Sequence, residues 1–153
     1  MASKVSAGLL LYRLRDTGME VLLAHPGGPL FKKKDSGAWT VPKGETEPGE
    51  DLLSRARIEF QEELGVAPPA GRYLELGSVK QKGGKTVYAW AVQGDFDGPA
   101  RSNTFAMEWP PRSGKMAEFP EVDRAEWFGL AEAGVRINEA QAAFLERLAA
   151  ALA

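Results

Sequence analysis

Three glutamates, Glu59, Glu62 and Glu63, stand at positions i, i+3 and i+4. At roughly 100° per residue, that spacing confines their carboxylates to a sector about 100° wide on one face of a helix. Like charges one turn apart cost a helix roughly 0.2–0.5 kcal/mol per pair, so the three need a counter-charge. Carboxylate oxygens suit a hard divalent cation, Mg²⁺ first and Mn²⁺ as an alternative. A cation held in this way can polarise a phosphate and lower the pKa of water, which is the chemistry of metal-assisted hydrolysis.

The elements around these acids must present them and leave room for a ligand. Leu53, Ala56, Phe60 and Leu64 recur at helical spacing about 100° from the acidic sector, so one helix offers an apolar stripe to a core and an acidic stripe beside it. Its start is expected between Pro48 and Asp51, where proline is tolerated and Glu50 and Asp51 suit the positive end of the helix dipole. Gly65 is the expected left-handed C-terminal cap. Upstream, a short strand over residues 39–41, ended by Pro42, delivers Lys43 and Gly44 to the helix. Lys43 is a candidate contact to a phosphate oxygen, and Gly44 lets backbone approach a metal or phosphate closely. Trp39 is a candidate for stacking on a base, as are Tyr88, Phe105 and Trp109. His25, the single histidine, stands beside a Pro-Gly loop and is a further candidate for phosphate.

Residues 44–66, GETEPGEDLLSRARIEFQEELGV, also resemble the Nudix box, G-x5-E-x7-R-E-U-x-E-E-x-G-U, where U is a bulky aliphatic or aromatic residue. Gly44, Glu50, Glu59, Phe60, Glu62, Glu63, Gly65 and Val66 stand at the required positions. The Trp-x-x-Pro-Lys-Gly run formed by Trp39, Pro42, Lys43 and Gly44 is similar to the approach to the box in that family. The resemblance implies an α/β fold, a mixed β-sheet sandwiched between helices. It also implies a metal-dependent hydrolase that cleaves a phosphoanhydride in a nucleoside diphosphate linked to another group X, such as a nucleoside triphosphate or dinucleoside polyphosphate. Glu59, Glu62 and Glu63 would be the metal ligands and catalytic carboxylates. Glu50 would be support rather than a primary ligand. Family members often add a carboxylate from a late loop. Glu121, six residues before Trp127, is the first choice for it and Glu118 the second.

Elsewhere the chain reads as strands at residues 4–14 and 19–25 joined by a turn, strands at 73–80 and 86–92, and a short strand within 102–109. Residues 112–121 read as a mobile loop and 122–128 as a strand. A helical turn follows at 130–133, then a final helix capped by Asn138, with Gln141 three positions on. Strands, helix, strands, helix is an order that fits a mixed sheet covered by helices. At 153 residues and 44% hydrophobic content the expectation is a single domain spanning 1–153. The apolar runs are far shorter than the ~20 residues of a membrane span, no signal peptide is evident, and the chain has no cysteine. A cytoplasmic protein without membrane association fits these features. A net charge of -2 argues against general nucleic-acid binding, and the resemblance implies a nucleotide-type small molecule as partner. Small cationic groups, Lys32 to Lys34 with Lys43, and Lys80, Lys82 and Lys85, suit a polyphosphate shared with a metal. Oligomeric state, metal number and the identity of X are open at this level.

Ile58 stands where the family has arginine. Arg55, four residues before Glu59 and inside the acidic sector, is expected to compensate in part through an ion pair. The alternative is a catalytically weak domain that binds a nucleotide as a sensor or regulator. The sequence alone therefore predicts that Ile58→Arg raises the metal-dependent rate, which steady-state kinetics would check.

Overall fold

The computed structural model describes residues 4–153. In chain order its elements are β1 (Val5–Arg15), β2 (Gly18–Pro26), β3 (Lys43–Glu45), α1 (Leu52–Leu64), β4 (Leu74–Lys80), β5 (Thr86–Gln93), β6 (Thr104–Glu108), β7 (Met116–Pro120), β8 (Val122–Gly129), α2 (Leu130–Arg136) and, after a 3₁₀ turn at Glu139–Gln141, α3 (Ala142–Leu152).

The main sheet runs β4-β5-β1-β2-β8. β1 is parallel to β5 and antiparallel to β2, so the sheet is mixed. β1 reads as an almost unbroken apolar run because it is buried on both faces. Ala7, Leu9 and Leu11 meet α1, while Leu10 and Tyr12 meet the C-terminal helices. Ala56, Phe60 and Leu64 of α1 pack on the first face. Phe144, Leu145 and Leu148 of α3, with Ile137, pack on the second over Val87 and Ala89. Each large side chain buried in this way contributes about 1.5–3 kcal/mol. The result is an α/β/α sandwich.

One feature of the sheet makes a site possible. Along one edge of β1, β2 pairs only with residues 12–15, and β3 pairs with residues 6–8. The fork between them is filled by residues 39–44. Ala24 and Thr40 exchange backbone hydrogen bonds of 2.8 and 2.9 Å, and Leu9 N–H donates to the Pro42 carbonyl at 3.1 Å.

The helix starts later than the Pro48 end of the expected range. Asp51 is the N-cap, its carboxylate accepting from Ser54 N–H at 2.9 Å and from the Ser54 hydroxyl at 2.7 Å. Gly65 closes α1 at φ 80°, its N–H donating to the Gln61 carbonyl. Residues 112–121 are not a mobile loop. Residues 116–120 form β7, paired with β6 through Phe105 opposite Phe119 and Met107 opposite Ala117. Asn138 caps the 3₁₀ turn rather than α3 itself. Among the described residues, no helix is long and apolar enough to cross a membrane.

Removing the N-cap with Asp51→Ala should cost about 1 kcal/mol and lower the thermal midpoint by about 2–4 °C, with Asp51→Ser restoring most of it. Thermal unfolding followed by circular dichroism is the check.

Candidate active site

The acidic face of α1 is turned toward the fork. Glu59 and Glu63 are buried, at 9% and 7% exposure, and Glu62 is half-buried. The loop from 39 to 44 brings two backbone groups against them. Lys43 N–H donates to Glu63 Oε1 at 3.2 Å. Gly44 lies so close to Glu59 that a Cβ at that position would fall 2.0 Å from the carboxylate carbon. Any larger residue would have to displace either the strand or the acid, which is the reason glycine stands there.

Glu121 reaches this cluster through a backbone relay at the root of the β6–β7 hairpin. Asn103 N–H donates to the Glu62 carbonyl at 2.9 Å, Glu121 N–H to the Asn103 carbonyl at 2.9 Å, and Gly27 N–H to the Glu121 carbonyl at 3.0 Å. The end of α1, the hairpin and the end of β2 are thereby tied at one point. Glu118 sits mid-hairpin opposite Ala106, on an exposed stretch.

The electrostatics follow from crowding. Burial pushes the Glu63 carboxyl up to about 8, with the Glu59 and Glu121 charges adding to it and Lys43 opposing. Glu59 is raised by burial and by Glu62, against the pull of Arg55. Glu121 is raised by desolvation and by Glu62. Lys43 moves the other way: burial, then Lys85, lowers its ammonium, while Glu63, Glu45 and Glu59 favour the charged form. Each of the four acids thus has a neighbour from the same set acting on it, or acts on one.

As they stand, the acids do not converge. Among the described residues, no three His, Cys, Asp or Glu side chains are grouped tightly enough to hold a metal ion. Glu63 is turned to the Lys43 N–H and Glu59 toward Arg55. The donor set nonetheless fits a hard cation: only carboxylate oxygens, two of the acids buried, with protonation favoured by want of positive charge.

A sequence profile described as NUDIX domain matches residues 3–148. The chain belongs to the Nudix family. As a member it is a Nudix pyrophosphohydrolase. It is 33% identical over 106 residues to a bis(5'-nucleosyl)-tetraphosphatase (asymmetrical) from Sus scrofa, covering 60% of this chain and 67% of that one. The corresponding Rattus norvegicus protein is 32% identical over 104 residues, with the same coverage. Two solved structures share the fold with TM-scores of 0.69. A C. elegans Ap4A hydrolase binary complex is 22% identical, covering 96% of this chain and 97% of that one. The NUDIX domain of Shewanella oneidensis NrtR complexed with ADP ribose is 15% identical, covering 100% and 90%.

Within this Nudix site the structure corrects two expectations. Trp39 is fully buried, not presented to a ligand. Its indole N–H donates to Asp35 at 2.7 Å, and its ring stands edge-on to His25 and Phe128, each with centroids 5.0 Å away. His25 is fully buried too. Its Nδ1 lies 2.8 Å from Asp123 and its Nε2 2.6 Å from the Lys34 carbonyl, so neither nitrogen is left for phosphate. Phe105, Tyr88 and Trp109 are half-buried, and Phe105 lies against Gly28 and Phe119.

Sequence reasoning missed a clamp. Arg55 Nε lies 3.0 and 2.9 Å from the two oxygens of Glu50, and its Nη2 2.6 Å from one of them. Only its Nη1 reaches Glu59, at 3.4 Å. Glu50 also accepts from Glu47 N–H, so the loop before α1 is tied to the helix and to the site. Ile58 is 43% exposed, off the carboxylate face. These positions revise the expectation for Ile58→Arg: the counter-charge is already supplied one turn earlier. Arg55→Met should lower activity about 10–100-fold, the range for residues that orient metal ligands, while Ile58→Arg should change it by less than about threefold. Steady-state kinetics on the two variants, each with its thermal midpoint, are the measurement.

Proposed function

We propose that this Nudix pyrophosphohydrolase acts on a nucleoside diphosphate linked to a further phosphate-bearing group, of the nucleoside triphosphate or dinucleoside polyphosphate type, in a Mg²⁺-dependent hydrolysis. The observation that carries the reading is the acidic face of α1, with Gly44 packed on the Glu59 carboxylate, the Lys43 N–H on Glu63 and the segment bearing Glu121 tied through Asn103 to Glu62. The similarity to bis(5'-nucleosyl)-tetraphosphatases over 106 residues supports the dinucleoside polyphosphate class.

In this reading Glu59, Glu62 and Glu63 hold the cation, Mg²⁺ or Mn²⁺, once Glu63 turns from the Lys43 N–H, while Glu59 keeps its contact to Arg55. When bound, such a cation supplies Lewis-acid polarisation and neutralises phosphate charge. The rest falls to the chain. Lys43 offers its ammonium to a phosphate oxygen. Gly44 keeps backbone, rather than a side chain, at the closest approach to Glu59. Glu121, raised above its usual range, accepts a proton from the attacking water at a carboxylate oxygen. The water oxygen bonds to phosphorus as the bond to the bridging oxygen breaks, and the phosphate released carries the leaving electron pair. Arg55 keeps Glu59 oriented and Glu50 fixed throughout. Positioning and charge are most of what phosphoryl transfer asks of a protein.

The test is a panel of nucleoside triphosphates, dinucleoside polyphosphates, nucleotide sugars and ADP-ribose, with Mg²⁺ or Mn²⁺ and with EDTA, products being identified by mass. Expected is cleavage of a polyphosphate chain, abolished by EDTA and reduced at least about 100-fold in Glu62→Gln. Tight nucleotide binding with no turnover across the panel would replace this reading with that of a sensor.

A further inference from the structure

The single histidine of the chain, His25, is fully buried at the end of β2 and takes no part in the reaction described above. Its neighbours fix where its hydrogens lie. The Lys34 carbonyl, 2.6 Å from Nε2, can only accept, so Nε2 carries a hydrogen and donates it. Nδ1 lies 2.8 Å from an oxygen of Asp123, whose side chain is 32% exposed and has the Arg124 guanidinium 3.8 Å away. A carboxylate partly in water and beside a cation is an acceptor, so Nδ1 donates as well. A ring that donates at both nitrogens is an imidazolium.

The other groups around the ring leave Asp123 as its counter-ion. Trp39 stands edge-on at 5.0 Å, and its N–H goes to Asp35, which is itself paired with Arg136. Arg124 lies over the Trp39 ring at 5.1 Å and adds positive charge rather than negative. A buried cation of this kind depends on its one partner, because removing either member leaves a charge without water to screen it.

The pair sits at a break in the sheet. Along β2 and β8 the partners run Ala24 with Ala125 and His25 with Arg124, but Pro26 then pairs with Val122. Asp123 is therefore the extra residue of a bulge, a device that re-aims side chains where a ladder ends. Pro26 has no N–H to carry the ladder further. Two residues before Asp123 is Glu121, bound at its N–H by the Asn103 carbonyl and at its carbonyl by Gly27 N–H. β7 ends at Pro120 and β8 begins at Val122, in different sheets, so Glu121 is the joint between them. Its backbone bonds fix where the joint lies. The bulge governs how the chain turns through it, and with that the direction in which the Glu121 carboxylate leaves the chain.

We propose that His25 is a positioning residue for Glu121: as an imidazolium paired with Asp123 it sets the bulge between β2 and β8, and so aims the Glu121 carboxylate at the acidic face of α1. The charged pair and the bulge stand on geometry alone, whereas the role given to Glu121 rests on the hydrolase reading above.

Replacing His25 would empty a buried site and strand both of its partners, so Asp123→Asn is the informative variant. It keeps the size of the side chain and an acceptor for the Nδ1 hydrogen, and removes the charge. The first measurement is NMR of the nitrogen-labelled imidazole near neutral pH, where one histidine makes the assignment unambiguous. Expected are protons on both ring nitrogens in the parent protein and on one in Asp123→Asn, because a neutral ring donates at one nitrogen only. A single ring N–H in the parent protein overturns the proposal.

The second measurement is the kinetics of diadenosine tetraphosphate cleavage with Mg²⁺ in Asp123→Asn, Glu121→Gln and the double variant. Expected is a fall in kcat of about tenfold in Asp123→Asn with KM held within about twofold. Where Glu121 is already Gln, the same change should lower kcat by less than about twofold, the non-additivity of residues that act through one another. Equal losses in the two backgrounds would mean a merely structural pair and overturn the proposal. A Glu121→Gln variant as fast as the parent removes the reading of Glu121 as base and, with it, the role of His25. The ring signals need no turnover, so they judge the charged pair apart from any failure of the hydrolase reading.

Discussion

Glu59 and Glu63 lie one turn apart on a helix whose adjoining stripe is buried, so water cannot dissipate their charges. Glu62 and Glu121 add to the same field. Placing like charges together away from solvent is unfavourable unless a partner or a proton supplies compensation. The structure supplies some of each. Lys43 and its N–H face Glu63, Arg55 faces Glu59, and burial raises Glu63 far enough to hold its proton near neutrality. These are incomplete compensations, and a divalent cation would complete them. The surroundings of α1 are arranged to keep the acids together in the meantime.

That arrangement depends on the forked edge of β1. If β2 had continued along the whole strand, no backbone could have entered between the sheet and the acids. Residues 39–44 occupy the gap, seated by Trp39, whose ring fills the space beside His25 and Phe128 and whose N–H is satisfied by Asp35. The loop is therefore held by its buried indole, and the residues after it, Lys43 and Gly44, are delivered as a rigid consequence. Asp35 in turn pairs with Arg136 of α2, which links the seating of the loop to the helices on the far face.

How much of this was legible depended on whether the governing contacts were local. The α1 helix could be read because its cap, its apolar stripe and its acids all lie within a few turns of one another. β1, β2, β4, β5 and β8 could be read from alternation and turn residues. Trp39 could not be placed, since a large aromatic before Pro-Lys-Gly looks the same whether it stacks on a base or plugs a fork. The distinction is made by Phe128, His25 and Asp35, two of which are distant in sequence. The β6–β7 hairpin did leave a trace. Phe105, Met107 and Trp109 alternate with polar or small residues, as do Ala117 and Phe119, around a Pro-Pro-Arg-Ser-Gly turn. Its polar content was read as mobility instead. Gln141 looked like part of a cap because the contact that defines it, to Val41, spans 100 positions.

The relocated arginine shows why spacing on a helix is an incomplete guide to charge pairing. Helical side chains lean toward the N-terminus, so Arg55 leans away from Glu59 and toward the loop before the helix. The distances follow that lean, with 2.6 Å to Glu50 against 3.4 Å to Glu59. Its first effect is to staple the loop to the helix, and its hold on the Glu59 carboxylate is the weaker of the two. Arginine at position 58 would start about 60° round the helix from Arg55, from a side chain position that is exposed here. An isoleucine at that position therefore removes little that Arg55 does not already supply. The negative charge that Arg55 leaves uncompensated on Glu59 remains available to a cation.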